Sequence, residues 1–160
     1  MAFSPSGGRT LATGSFDTSV IRWDANGRSL PTQIGTPLTG PAGPVWSIAF
    51  APDGLTLAAA SQDGTVALWD LTDRATPVQL GKPLVGHTAD VRSVAFSPDG
   101  SALATASADR TALLWNLSTL DPRRSRALDQ ACAYAGRALT PEEWASYIGD
   151  NLPYVDSCSL

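Results

Sequence analysis

The sequence predicts an all-β fold built from repeated four-stranded antiparallel units, followed by a short two-helix tail. Three observations carry that prediction. Trp23, Trp69 and Trp115 recur at intervals of 46 residues, and Phe3, Phe50 and Phe96 at intervals of 47 and 46. After each Phe the text repeats as Ser-Pro-Ser-Gly, Ala-Pro-Asp-Gly and Ser-Pro-Asp-Gly. The repetition stops after Leu117, where a helical periodicity takes over. A fixed period of this length marks a repeat architecture, in which neighbouring units bury a shared core.

Each unit reads as short strands cut by turns. Residues 45–50 and 91–96 are apolar strands ahead of Pro-Asp-Gly, a tight turn in which Pro presets φ and Gly accepts positive φ. Residues 55–61 and 102–107 follow, and their alanine content predicts strands packed on both faces. Asp63-Gly64 forms a second hairpin turn. Residues 65–69 make a third strand, and residues 78–85 a fourth, weakened by Gly81 and Pro83 as an edge strand tolerates. The first unit carries one extra residue between Phe3 and Asp17. The repeat segment covers 1–119, with units of about 1–40, 41–86 and 87–119, and the tail covers 120–160.

In the tail, Asp121-Pro122 reads as an N-cap with Pro at the first helical position. Leu128, Ala131, Cys132 and Ala135 then share one helix face, ending at Gly136. Thr140-Pro141-Glu142-Glu143 is a capping box, with Leu139 and Trp144 at its staple positions. That second helix runs to about Ile148, stops at Gly149, and leaves 150–160 extended.

Composition excludes several function classes. The 160 residues suit about one domain. They are 43% hydrophobic and 16% charged, against the usual ~25% charged. Fifteen acidic against 11 basic side chains give a net charge of −4, which disfavours a nucleic-acid partner. No apolar run is long enough to span a membrane, and residues 1–5 lack the pattern of a signal peptide, so a cytoplasmic location is expected. Two cysteines make neither a disulfide framework nor a four-thiolate zinc site. Ten Arg against one Lys, with abundant Ala, point to a GC-rich bacterial genome.

The period, the Trp-Asp dipeptides at Trp23-Asp24 and Trp69-Asp70, the variant Trp115-Asn116 and the dipeptide Gly86-His87 resemble the WD-repeat β-propeller family over residues 1 to about 119. The resemblance implies a partial propeller of about three four-stranded blades. It also implies a hydrogen-bonded His, Ser/Thr, Asp and Trp set in each blade. For the last blade that set is His87, Ser107, Asp109 and Trp115. The middle blade matches through Ser61, Asp63 and Trp69, with Gly40-Pro41 in place of Gly-His, and the first through Ser15, Asp17 and Trp23. Residues at the start of the innermost strand and before the turn Asp face the narrow end of such a propeller. They map to Pro44, Trp46, Asp90 and Arg92, and to Phe16, Gln62 and Ala108. Phe16, Trp46, Gln62, Asp90 and Arg92 are therefore the candidate partner-binding face, since Trp, Phe and Arg are residue types of interface hot spots. The competing reading packs Trp46 against a neighbouring blade.

Catalytic readings are weak. Ser107 has no G-x-S-x-G elbow, and its place before a turn Asp suits a tie between strands. His87 has no second His or Cys at ligand spacing, and Gly81-Lys82 is followed by Pro83 rather than Ser or Thr, so neither a metal nor a nucleotide cofactor is expected. The tail resembles a helical segment found after WD-repeat propellers in large bacterial signalling proteins. Catalysis by Cys132 or Cys158 is disfavoured because the tail holds no His. Buried thiols and a redox-sensitive pair both remain open for them.

The expected function is a non-catalytic protein-interaction scaffold or ligand-sensing segment of a bacterial signalling protein. The alternative is a C-terminal fragment of an NTPase, protein kinase or peptidase whose catalytic domain lies upstream. Propellers close with roughly four to eight blades. Met1 aligns with Ile48 and Val94 inside an inner strand, so a longer reading frame, or self-association, is expected to complete the propeller.

Overall fold

The computed structural model describes residues 1–117, apart from residues 6, 8, 28 and 29. The two helices and the extended end expected for the tail, with Cys132 and Cys158, lie outside the described residues.

Among the described residues, twelve strands form three antiparallel sheets and there is no helix. The first sheet runs in chain order through β1 (Ala2–Phe3), β2 (Thr10–Gly14), β3 (Val20–Asp24) and β4 (Thr32–Gln33). The middle sheet contains β5 (Val45–Phe50), β6 (Thr56–Ser61), β7 (Thr65–Asp70), β8 (Val78–Gln79) and β9 (Leu84–Val85). The third contains β10 (Val91–Phe96), β11 (Ala102–Ser107) and β12 (Ala112–Asn116). The fourth strand expected over 78–85 is in fact split. β8 and β9 pair with opposite ends of β7, separated by Gly81 at φ 65° and by Pro83, which has no N–H to donate to a ladder.

The turns explain the register. Gly54 and Gly100 close the Pro-Asp-Gly turns at φ 72° and 74°, and their N–H groups donate to the carbonyls of Ala51 and Ser97, each at 2.9 Å. The turn carboxylates finish the job: Asp53 Oδ1 accepts from the Leu55 N–H at 2.9 Å, and Asp99 Oδ1 from the Ser101 N–H at 3.1 Å.

Side chains alternate across each strand, so each sheet has two faces. One core cluster joins the first and middle sheets through Ala12, Val20, Val45, Ile48, Leu57 and Trp69. The sheets approach closely there: a Cβ on Gly14 would collide with Val45. The N–H of Val45 donates to the Ser15 carbonyl at 3.0 Å, and the N–H of Val94 to Ser47 Oγ at 3.3 Å, so hydrogen bonds cross from sheet to sheet. All six residues of β6 are buried, as its alanines predict. β11 departs from that expectation. Leu103 and Thr105 are buried, whereas Ala104 and Ala106 are exposed, because that face of the third sheet carries no neighbour among the described residues.

Candidate functional site

Phe16 from the turn between β2 and β3, Trp46 from β5 and Arg92 from β10 meet at one end of the strands. The ring centroids of Phe16 and Trp46 lie 6.1 Å apart, edge to face at 85°. The Arg92 guanidinium carbon sits 4.7 Å from the Trp46 ring centroid, a cation–π contact, while its Nη2 donates to Asp90 Oδ2 at 2.9 Å. Phe16 is 74% exposed and Trp46 40%. Gln62 and Ala108 are exposed at the same strand ends, and Pro44 is half-buried.

A local irregularity turns these side chains outward. Pairing of β5 with β6 steps from Val45↔Ser61 to Ser47↔Ala60, which leaves Trp46 as the extra residue of a bulge. Pairing of β10 with β11 steps from Val91↔Ser107 to Ser93↔Ala106 and leaves Arg92 in the same position. A bulge re-aims its extra side chain. Trp46 thus presents its ring at the surface, in contact with Phe16 and Arg92, rather than in the core.

A second cluster lies inside the third sheet. His87 Nε2 and Thr105 Oγ1 are 2.8 Å apart, and the Trp115 indole N–H donates to the same hydroxyl at 2.9 Å. His87 Nδ1 lies 2.9 Å from Asp109 Oδ2, which also accepts from the Thr88 N–H at 3.0 Å. The Thr111 hydroxyl holds the Asp109 carboxyl far below the usual carboxylate range; burial works against this, and the N–H groups of Thr88 and Thr111 and the His87 ring reinforce it. The order hydroxyl, imidazole, carboxylate imitates a hydrolytic triad. Thr105 is only 2% exposed and its hydroxyl is already engaged by Trp115, so no substrate reaches it.

Ser107 must be corrected. It takes no place between His87 and Trp115; its hydroxyl donates to the Ala89 carbonyl at 3.0 Å and accepts from the Asp109 N–H at 3.1 Å. Ser61 does the same in the middle sheet, donating to the Gly43 carbonyl at 3.0 Å and accepting from the Asp63 N–H at 3.3 Å. Ser15 accepts from the Asp17 N–H at 3.2 Å. The hydroxyls that reach the tryptophans stand two residues earlier. Thr13 accepts from the Trp23 indole at 2.8 Å as Thr105 does from Trp115, and Ala59 holds the corresponding place in front of Trp69. The missed signal is a Thr ten residues before the Trp, on the same face of the hairpin. Asp63 ties the 40s loop to its turn by accepting from the Ala42 N–H at 2.7 Å and from the Thr65 hydroxyl at 2.8 Å. Burial opposes its charge, but these donors together hold its carboxyl below the usual value.

The family model of the WD domain, G-beta repeat, matches residues 1–24, 31–70 and 78–116. The chain belongs to the WD-repeat family. Each matched stretch holds the three inner strands of one sheet, the second and third also taking in the outer strands of the sheet before, and the Trp-Asp and Trp-Asn pairs end the third strand of each sheet. WD repeats generally mediate protein–protein interaction and are typically non-catalytic. A search of curated proteins returns no significant match. Among the described residues no group of His, Cys, Asp and Glu side chains forms a metal site in this WD-repeat chain, and no helix is long and apolar enough to cross a membrane.

Proposed function

We propose that this WD-repeat segment is a docking surface for a protein or peptide, working as a scaffold or sensor in a bacterial cytoplasmic signalling protein. The Phe16–Trp46–Arg92 cluster carries this reading. It spans all three sheets, exposes aromatic and cationic surface, and is held by an edge-to-face contact, a cation–π contact and an ion pair. Such residues dominate interface energetics, and Gln62 and Asp90 supply polar rim. The net charge of −4 favours protein over nucleic acid. The enzyme alternative requires an upstream catalytic domain, and an NTPase or kinase motif in the upstream reading frame would support it.

The partner is also proposed to include further blades, from a second copy or a longer parent chain. Phe3 is 61% exposed on one outer face and Leu114 76% on the other, and apolar sheet faces of this kind invite association. Light scattering across a dilution series tests that part, with a monomer at every concentration as the outcome against self-association.

Peptides selected from a displayed library on the full chain test the docking surface. Trp46→Ala and Arg92→Ala are expected to weaken the selected binders at least about tenfold, with unfolding midpoints unchanged. Binders that ignore both substitutions would move the function elsewhere.

A further inference from the structure

Arg22 occupies a leucine position. In the β2–β3 ladder Ala12 pairs with Arg22; at the same place the middle sheet pairs Ala58 with Leu68 and the third pairs Ala104 with Leu114. Arg22 and Leu68 are both 2% exposed. The first sheet therefore buries a guanidinium where the middle sheet buries a core side chain. Its Nη1 donates to the Arg74 carbonyl at 2.7 Å and its Nη2 to the Ile34 carbonyl at 3.3 Å, while the buried Nε–H finds no acceptor. No ion pair compensates it among the described residues. An unpaired buried charge is costly unless something neutralises it. Burial first, and the Arg74 cation second, draw the Arg22 guanidinium below its usual value, yet arginine keeps its proton in proteins.

Arg22 lines a cavity of about 240 Å³ between the first and middle sheets, with Arg9, Thr10, Thr72 and Arg74 also in its wall. Arg74 spans the two sheets by donating from Nη2 to Thr10 Oγ1 at 3.0 Å. The carboxylates of Asp70 and Asp73 accept from the N–H groups of Thr72 and Ala75, each at 2.8 Å. One water needs only ~15 Å³ on this measure, so the cavity has room for a polyatomic ion. Arg9 and Thr10 stand at the start of β2, whereas Phe16 follows its end, so this site and the docking cluster lie at opposite ends of the strands.

We propose that this cavity binds a phosphate-class oxyanion, with the buried Arg22 supplying positive charge in its wall and Arg9, Arg74 and Thr10 completing the cradle. Planar guanidinium groups match the geometry of phosphate oxygens. The inference stands apart from the docking surface and does not depend on it.

The full chain, titrated with inorganic phosphate and separately with glycerol phosphate at constant ionic strength, tests the site by calorimetry and thermal melts. Saturable binding is expected, with the melting temperature rising by several degrees at roughly a hundredfold excess over Kd. Arg22→Leu installs the residue of the other two repeats. It is expected to abolish the phosphate shift while leaving the phosphate-free melting temperature unchanged or higher. Arg9→Gln with Arg74→Gln leaves the buried position intact and is expected to weaken binding about tenfold or more. That double variant decides the matter if Arg22→Leu does not fold. Tighter binding of glycerol phosphate assigns the site to a phosphorylated small molecule, and tighter binding of inorganic phosphate assigns it to the free ion. The proposal is overturned if chloride gives the same shift, if no saturation occurs at tens of millimolar phosphate, or if the double variant binds as tightly as the parent chain.

Discussion

β6 and β11 are nearly the same strand in different surroundings. One reads Thr-Leu-Ala-Ala-Ala-Ser and the other Ala-Leu-Ala-Thr-Ala-Ser. β6 lies between the first and third sheets and is buried at every position, while β11 is buried on one face only. The partner strands follow suit: Leu68 is 2% exposed and Leu114, its equivalent, 76%. Alanine in these strands is what two-sided packing demands, since close sheet approach leaves room for little else. A sequence can therefore specify a sandwiched strand without specifying what stands on its second side. The third sheet holds its shape by a polar device the middle one lacks, the Trp115–Thr105–His87–Asp109 chain. The middle sheet relies on Trp69 at 2% exposure with Ala59 in the Thr105 position.

The largest expected effect breaks the middle sheet. Trp69→Ala should cost about 3–5 kcal/mol in denaturant unfolding, as buried aromatic deletions do. Trp23→Ala and Trp115→Ala should cost less because both rings are half-buried, and equal losses at all three positions would erase the distinction between sandwiched and outer sheets.

Leucines at equivalent positions sharpen it. Leu68→Ala is expected to cost about 2–5 kcal/mol and Leu114→Ala less than about 0.5 kcal/mol. A large loss at Leu114, accompanied by a smaller particle in light scattering, would mean that association covers this face.

Acid should act through the turns. Hydrogen bonds from the Ser97 and Ser101 hydroxyls lower the Asp99 carboxyl to about 2, and Asp17, Asp63 and Asp109 are also lowered. A carboxylate with a folded pKa below its unfolded one adds stability above about pH 4 that is lost as pH falls through the folded value. Melting temperature is expected to hold between pH 7 and about pH 5 and to drop below about pH 4, and Ser97→Ala should shrink the drop. A melting temperature independent of pH down to about 2 would remove these turns from the account.

The smallest effect compares the second turns. Gly64 takes φ 85° in the middle sheet, whereas Thr18 and Arg110 take 76° and 70° at the equivalent places. Positive φ strains a β-branched residue most. Thr18→Gly should therefore stabilise by about 1 kcal/mol or less, and Arg110→Gly by less still, with the gain in unfolded-state entropy taking part of each back. A destabilised Thr18→Gly would show that the threonine side chain matters more than its backbone.

Much of this protein was legible in one dimension. The 46-residue spacing of the tryptophans and the recurring turns, Pro-Ser-Gly once and Pro-Asp-Gly twice, defined the three units, because turn chemistry and side-chain alternation are local properties. Trp46 and Arg92 were legible too, by comparing unlike residues at equivalent places in the repeats, and Phe16 through the resemblance to the WD-repeat family. Tertiary structure alone decided the rest. Thr105 and Ser107 lie on the same face of β11, so which of their hydroxyls meets His87 is decided by the register of the hairpin, and a shift of two residues is invisible until that register is known. Trp46 contacts Arg92 because two bulges rotate both side chains outward, and a bulge leaves no mark in the text. Arg22 reads as an ordinary charged residue beside Trp23, yet packing of the first sheet on the middle one buries it at a leucine position. Burial is a property of the neighbour as much as of the residue, and the neighbour lies some fifty residues away, where Arg74 supplies its carbonyl.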